Sequence, residues 1–253
     1  MSPRPARGGS PAPRGPRRVL ITGAGRGLGL EFTRRYLERG DRVFATCRRP
    51  AAARALAALA GPHLDRLSIV PLDVTDAGSI RAAHAVVRRQ VEGLDLLINN
   101  AGMYSTRGSL DPTERLGELR FEGALLLLRA NAVGPLMVTQ QYLDLLAAGR
   151  RARVVAISSE YGSVSQNTDG FPYYYAASKA ALNMLMRSLA AEVRRLGIVT
   201  ALLDPGWVST DMGGPEAPVT PAKSVAGMMR VIDALGARDN GRFLTWEGRA
   251  APW

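Results

Sequence analysis

From Arg18 onward, short aliphatic or β-branched runs alternate with longer stretches of helical period, and this alternation most restricts the folds open to the chain. Strands are predicted at 19–22, 42–46, 68–71, 94–98, 154–158, 199–203 and 243–246. Helices are predicted at 28–39, 51–60, 79–91, 116–148 (one helix, or two broken at Gly134-Pro135), 174–195 and 222–235. Most of the strand runs are almost continuously apolar, as strands buried on both faces of a parallel sheet must be. The pattern predicts an α/β fold: a doubly wound, Rossmann-type parallel sheet of about seven strands with helices on both faces. With no internal repeat and no second break in composition, residues 18–253 read as a single domain.

Residues 1–17 read differently. They are rich in Pro, Arg, Gly and Ser, and without a hydrophobic period they cannot offset the entropy of ordering, so a disordered tail is predicted. The tail lacks the apolar stretch of a secretory signal. Its Arg-rich, acid-poor composition leaves an organelle transit peptide open, although its prolines oppose an amphipathic helix. Apolar clusters such as 124–128 fall far short of the about 18 residues of a membrane span, and no membrane partner is expected. Cys47 is the sole cysteine, which excludes an internal disulfide and fits a reducing, cytoplasmic setting. With only His63 and His84 and no carboxylates at ligand spacing, no metal site is expected. The net charge of +11 raises nucleic acid as a partner. Five of the positive residues lie in the first eighteen positions and the rest are scattered among acidic neighbours, so no nucleic-acid partner is predicted.

The first strand runs into Thr22-Gly23-Ala24-Gly25-Arg26-Gly27-Leu28-Gly29 and then an amphipathic helix. Glycines there let backbone amides at a helix N-terminus approach a pyrophosphate, and the strand–turn–helix context is what makes the motif informative. Where an NAD site places an acidic residue on the ribose, the second strand ends in Thr46-Cys47-Arg48-Arg49. A guanidinium binds a 2′-phosphate and a carboxylate repels one, so NADP(H) is predicted over NAD(H), with Arg48 and, in the glycine turn, Arg26 as contacts. The bland alternative leaves both arginines facing solvent.

Tyr175 and Lys179 stand four residues apart in a helical stretch and so share one face. A neighbouring ammonium lowers a phenol pKa from about 10 and makes Tyr175 a candidate general acid or base. Taken alone, such a pair is usually an ordinary surface contact. Ser158-Ser159, Asn99-Asn100-Ala101-Gly102 and Pro205-Gly206 follow predicted strands, where open parallel sheets bind ligands.

In this order, Thr22-Gly23-x-x-x-Gly27-x-Gly29, Asp73-Val74, Asn99-Asn100-Ala101-Gly102, Asn131, Ser159, Tyr175-x-x-x-Lys179 and Pro205-Gly206 resemble the short-chain dehydrogenase/reductase superfamily over nearly the whole chain after the tail. Ala45-Thr46-Cys47-Arg48, the segment 205–214 and Pro252-Trp253 are most similar to its carbonyl-reductase-like branch, which includes the sniffer and C-factor proteins. The resemblance implies that Tyr175 protonates a carbonyl oxygen, Ser159 hydrogen-bonds it, Lys179 holds the nicotinamide ribose, and Asn131 fixes a relay water. It implies Asp73 and Val74 around the adenine, Asn100, Ala101 and Gly102 beside the ribose, and Pro205, Gly206, Val208 and Thr210 along the nicotinamide side. Two departures stand out. Sixteen residues separate Ser159 from Tyr175, about three more than is commonest in the family, and Asp204 stands where many relatives of the branch carry an uncharged residue or histidine.

The expectation is NADPH-dependent, reversible reduction of a ketone or aldehyde by a homodimer or homotetramer. Phe171, Tyr173, Trp207 and Met212 point to an apolar or aromatic substrate. A nucleotide-loaded redox-sensing or regulatory protein, and a reductase of an imine or activated double bond, are the alternatives.

Overall fold

The computed structural model describes residues 15–105, 116–168, 170 and 172–253. Seven strands, β1 (Arg18–Ile21), β2 (Arg42–Cys47), β3 (Leu67–Pro71), β4 (Leu96–Asn99), β5 (Arg153–Ile157), β6 (Val199–Asp204) and β7 (Arg242–Thr245), form one sheet in the order β3-β2-β1-β4-β5-β6-β7. Every neighbouring pair is parallel. The chain winds outward from β1 in one direction and from β4 in the other, so the carboxyl ends of these two central strands frame the crevice where such sheets bind ligands.

The helices are α1 (Gly27–Glu38), α2 (Arg54–Ala58), α3 (Ala77–Arg88), α4 (Phe121–Leu128), α5 (Gly134–Gln141), α6 (Leu143–Ala147), α7 (Tyr173–Val193) and α8 (Pro221–Ala234). Successive strand side chains point to opposite faces, which divides the core in two. Leu20, Phe44, Leu97, Val154, Ala156 and Leu202 pack with α3, α5 and α7 through Ile80, Val87, Val138, Leu182 and Met186. Ile21, Val43, Ile98, Val155 and Leu203 pack with α1 and α8 through Phe32, Leu37, Val225, Met228 and Ile232.

One sequence expectation is corrected and one left open is decided. Part of the predicted tail is held by the domain: the Pro16 carbonyl accepts the Arg150 guanidinium at 2.6 Å, and Arg17 is buried, its amide donating to Asp41 at 2.8 Å and its guanidinium 2.6 Å from Asp233. Residues 1–14 lie outside the described residues. The predicted helix over 116–148 does not break at Gly134-Pro135. Residues Arg129–Val133 instead form a turn of π-helix that runs directly into α5, with the Gly134 amide donating to the Arg129 carbonyl five residues back. Pro135 gives no N–H to the preceding turn, and the wider π turn accommodates the missing bond and the ring. The close approach of this helix to Val74 requires glycine at 134, since a Cβ there would stand 2.8 Å from the Val74 carbonyl oxygen. The run Phe121–Gln141 is long and apolar enough, by length and composition, to cross a membrane; here α4 and the π turn pack against α7.

Candidate active site

The glycine turn and the end of β4 are stitched together by Thr22. Its amide donates to the Ile98 carbonyl at 3.0 Å, and its hydroxyl oxygen accepts the amides of Asn100 at 3.0 Å and Ala101 at 2.9 Å. Asn100 returns the contact, its side-chain amide donating to the carbonyl oxygens of Thr22 and Gly23 at 2.9 and 3.2 Å. Gly23 adopts φ +67°, and a Cβ there would stand 2.8 Å from the Ala101 Cα. Only glycine lets the two strand ends come this close. Asn99, by contrast, is buried and donates to Thr139, so it takes no place at the crevice.

From this turn α1 starts with Arg26 in extended conformation at its N-cap, with no side-chain cap and no acidic residue in the first turn. Its leading amides, with the positive end of the helix dipole, suit an anion. Arg48, just beyond β2, is exposed and forms no ion pair among the described residues. A pyrophosphate and a 2′-phosphate therefore fit these groups. Arg26 is engaged differently from expectation: its guanidinium pairs with Asp211 at 2.9 Å. Thr210 lies over the same turn, its methyl 3.7 Å from where a Cβ of Gly27 would project. After β3, partial burial pushes the Asp73 carboxyl up, but hydrogen bonds from the Thr75 hydroxyl and amide and the charges of Arg48 and Arg129 bring it below its ordinary value.

The proton-transfer candidates meet where β5 ends against the first turns of α7. Tyr175 and Lys179 are both buried, 7% and 5% exposed. The Lys179 ammonium donates to the Ile157 carbonyl at 2.8 Å and lies 5.6 Å from the Tyr175 ring centre. Burial pushes this ammonium down to about 8, an effect the nearby Asp204 carboxylate opposes. Burial likewise raises the Tyr175 phenol well above its ordinary value, and the Ser159 hydroxyl, hydrogen-bonded to it, works in the opposite direction. Ser159 also accepts the Tyr161 amide at 3.3 Å. Two aromatic rings cover the phenol: Tyr104 at 4.7 Å and Tyr161 at 6.0 Å between centroids.

Asn131 sits at the centre of the π turn. Its side-chain oxygen accepts the Met103 amide at 2.8 Å, and its side-chain amide donates to the Met103 carbonyl at 2.8 Å and the Ser178 hydroxyl at 2.9 Å. Ser178 donates onward to the Tyr175 carbonyl at 2.7 Å. A Cβ on Gly102 would be 3.2 Å from the Asn131 oxygen and 3.8 Å from Lys179 Nζ, which places this residue between the two.

Beyond β6, Pro205 accepts the Ser224 hydroxyl at 2.7 Å and Gly206 turns with φ +75°. Val208 is buried and bridges to Val219, while Thr210 caps the amide of Gly213 at 3.2 Å. Thus Asn131, Ser159, Tyr175 and Lys179 converge, and the glycine turn, Arg48, Asp73, Asn100, Ala101, Gly102 and the segment after β6 line the same edge of the sheet. Two further rings join the aromatic residues singled out in the sequence. Tyr173, Trp207 and Met212 are exposed, Phe171 lies outside the described residues, and Tyr104 and Tyr161 are the rings against Tyr175. Sequence reasoning also missed Ser178, although it follows Tyr175 at helical spacing and shares its face.

The family model for short chain dehydrogenase matches residues 17–219. The chain is 44% identical over 160 residues to the C-signal protein of Myxococcus xanthus, covering 63% of this chain and 93% of that one. Among solved structures, a carbonyl reductase from chicken fatty liver with NADPH bound is 38% identical, with TM-score 0.86 over 94% of this chain and 99% of its own. The carbonyl reductase Sniffer of D. melanogaster is 32% identical, with TM-score 0.87 over 94% of this chain and all of its own.

Proposed function

Because the chain belongs to the short-chain dehydrogenase family, we propose that it is an NADPH-dependent oxidoreductase that reduces a ketone or aldehyde to an alcohol, with Tyr175 as the general acid. The observation that carries this reading is the buried Tyr175 phenol, hydrogen-bonded to Ser159 and flanked by the Lys179 ammonium at one strand end. When bound at the crevice framed by β1 and β4, NADPH would supply the hydride that the reduction needs. Arg48 would hold its 2′-phosphate, with Arg26 able to join once released from Asp211, and the amides opening α1 would hold its pyrophosphate.

Tyr175 gives its proton to the carbonyl oxygen as negative charge develops there, while the Ser159 hydroxyl donates a second hydrogen bond to that oxygen. Lys179 stabilises the phenolate left behind, because a nearby positive charge favours the charged form. Asn131 keeps the turn at Met103 against α7. Both of its amide hydrogens and one oxygen lone pair are used, which leaves one lone pair for a water that returns the proton. Tyr104 and Tyr161 narrow the approach to Tyr175 and favour a flat, apolar carbonyl compound.

The test is Tyr175→Phe assayed with NADPH against a panel of aromatic ketones and aldehydes. Turnover is expected to fall about 10²–10⁴-fold while NADPH binding persists. Full turnover by the variant with an accepted carbonyl would overturn the assignment.

A further inference from the structure

Asp204, the last residue of β6, takes no part in the chemistry assigned above. Along this strand Leu202 packs on the α7 face and Leu203 on the α8 face, so the next side chain returns to α7. The register of β5 with β6 and the Ser158 amide bond to the Leu203 carbonyl at 2.7 Å set Asp204 beside the residues that follow β5. A buried polar network lies there. The Ser158 hydroxyl donates to Asn183 at 2.6 Å, Asn183 donates to the Gly162 carbonyl at 3.0 Å, and Lys179 donates to Ile157.

The Asp204 carboxylate accepts the Gly206 amide at 3.1 Å and the amide of Glu160. The charged and titratable groups around it are Lys179 and Tyr175 from α7 and Glu160 from the turn after β5. Thr245 and Trp246, both neutral, approach from the β7 side, with the Trp246 amide on the Asp204 carbonyl at 2.8 Å. Lys179 has three N–H groups to satisfy, and among the described residues its hydrogen bond is to one neutral carbonyl. An ammonium held in a dry interior needs a compensating charge to stay protonated, and Asp204 is the carboxylate acting on it.

Resting on the reading of Tyr175 and Lys179 as the proton-transfer pair, we propose that Asp204 is a positioning residue for that pair: its carboxylate is the counter-charge that keeps buried Lys179 an ammonium ion. The influence is mutual. Burial and Glu160 push the Asp204 carboxyl up, while two backbone amides and Lys179 pull it down.

The composition of the chain makes the test direct, because Lys179 and Lys223 are its two lysines, and Lys223 is exposed on α8. The full chain labelled with ¹³Cε-lysine gives two resonances, and Lys223→Arg assigns them. The Lys179 signal is expected to titrate well below the ordinary lysine range in the wild type. In Asp204→Asn its midpoint moves lower still, by about one pH unit or more for the loss of an opposite charge, and in Asp204→Glu it stays near the wild type. Asp204→Ser repeats the neutral arm if the asparagine disturbs folding. In turnover, kcat for carbonyl reduction loses its alkaline limb at correspondingly lower pH in the neutral variants, with KM little changed. A Lys179 midpoint that does not move in either neutral variant overturns the proposal, whatever Tyr175→Phe does. A fully active Tyr175→Phe overturns the underlying reading even if the midpoint shifts.

Discussion

The Arg26 guanidinium lies 2.9 Å from the Asp211 carboxylate and so joins the glycine turn after β1 to the segment after β6. Both side chains are about 70% exposed, and an exposed pair of this kind contributes about 0–1 kcal/mol. Asp211→Ala is therefore expected to leave Tm nearly unchanged. By freeing Arg26 for a phosphate it should tighten NADPH binding, by no more than about fivefold. Fluorescence titrations at low salt and near 1 M salt check this, since screening should erase the difference.

Arg48 forms no ion pair among the described residues. A charge-assisted hydrogen bond contributes about 1.5–3 kcal/mol, so Arg48→Ala should weaken NADPH binding by roughly 10–100-fold and leave NADH binding almost as it was. Parallel titrations with both nucleotides decide the matter; equal losses for the two would remove Arg48 from the 2′-phosphate site.

Gly23→Ala sets a Cβ 2.8 Å from the Ala101 backbone at a φ of +67°. The left-handed conformation alone costs a non-glycine residue about 1–2 kcal/mol, and the clash pushes apart the strand ends that Thr22 and Asn100 tie together. A Tm drop of at least about 4 °C with loss of NADPH binding is expected by scanning calorimetry and titration. The same substitution at Gly61, with open space around it, serves as the control.

Lys179 also makes stability depend on pH. Burial holds its folded pKa down at about 8, below the ordinary lysine value of 10.5, so between these limits the unfolded chain binds more protons than the folded one. Stability from this group therefore rises as pH climbs from 8 towards 10.5. Below pH 8 the buried ammonium is a cost in the native state. Lys179→Met should abolish that rise, which amounts to roughly 3 kcal/mol in total. Urea unfolding of both proteins at pH 7, 9 and 10.5 measures it, and parallel curves would contradict the assigned burial effect.

The sheet was legible because strands covered on both faces must be apolar along their length, and the predicted strands lie within two residues of those observed. Local pattern could not report what depends on distant contacts. Asp211 lies 185 residues from Arg26, and no spacing announces their pairing. Tyr104 and Tyr161 follow strand ends in irregular segments, where no period marks a ring as facing the site. Asp204 stood out as a departure, but its neighbours come from α7 and the turn after β5, which only the folded sheet brings together. Whether the helix broke at Gly134-Pro135 was left open for a related reason: breaker residues mark helix ends on average, whereas here the chain passes through a wider turn that accommodates both.

That wider turn changes how the chain tolerates alteration. A π turn holds one residue more than the α-helical repeat accommodates, and each residue of an α-helix advances the side-chain direction by about 100°. Removing Arg129 or Ala130 would let α4 and α5 join as one regular helix and swing Asn131 out of reach of both Met103 and Ser178, although every other side chain kept its chemical identity. Substitution tables, which score position by position, are blind to such a change. At this site the length of the chain carries as much information as its letters.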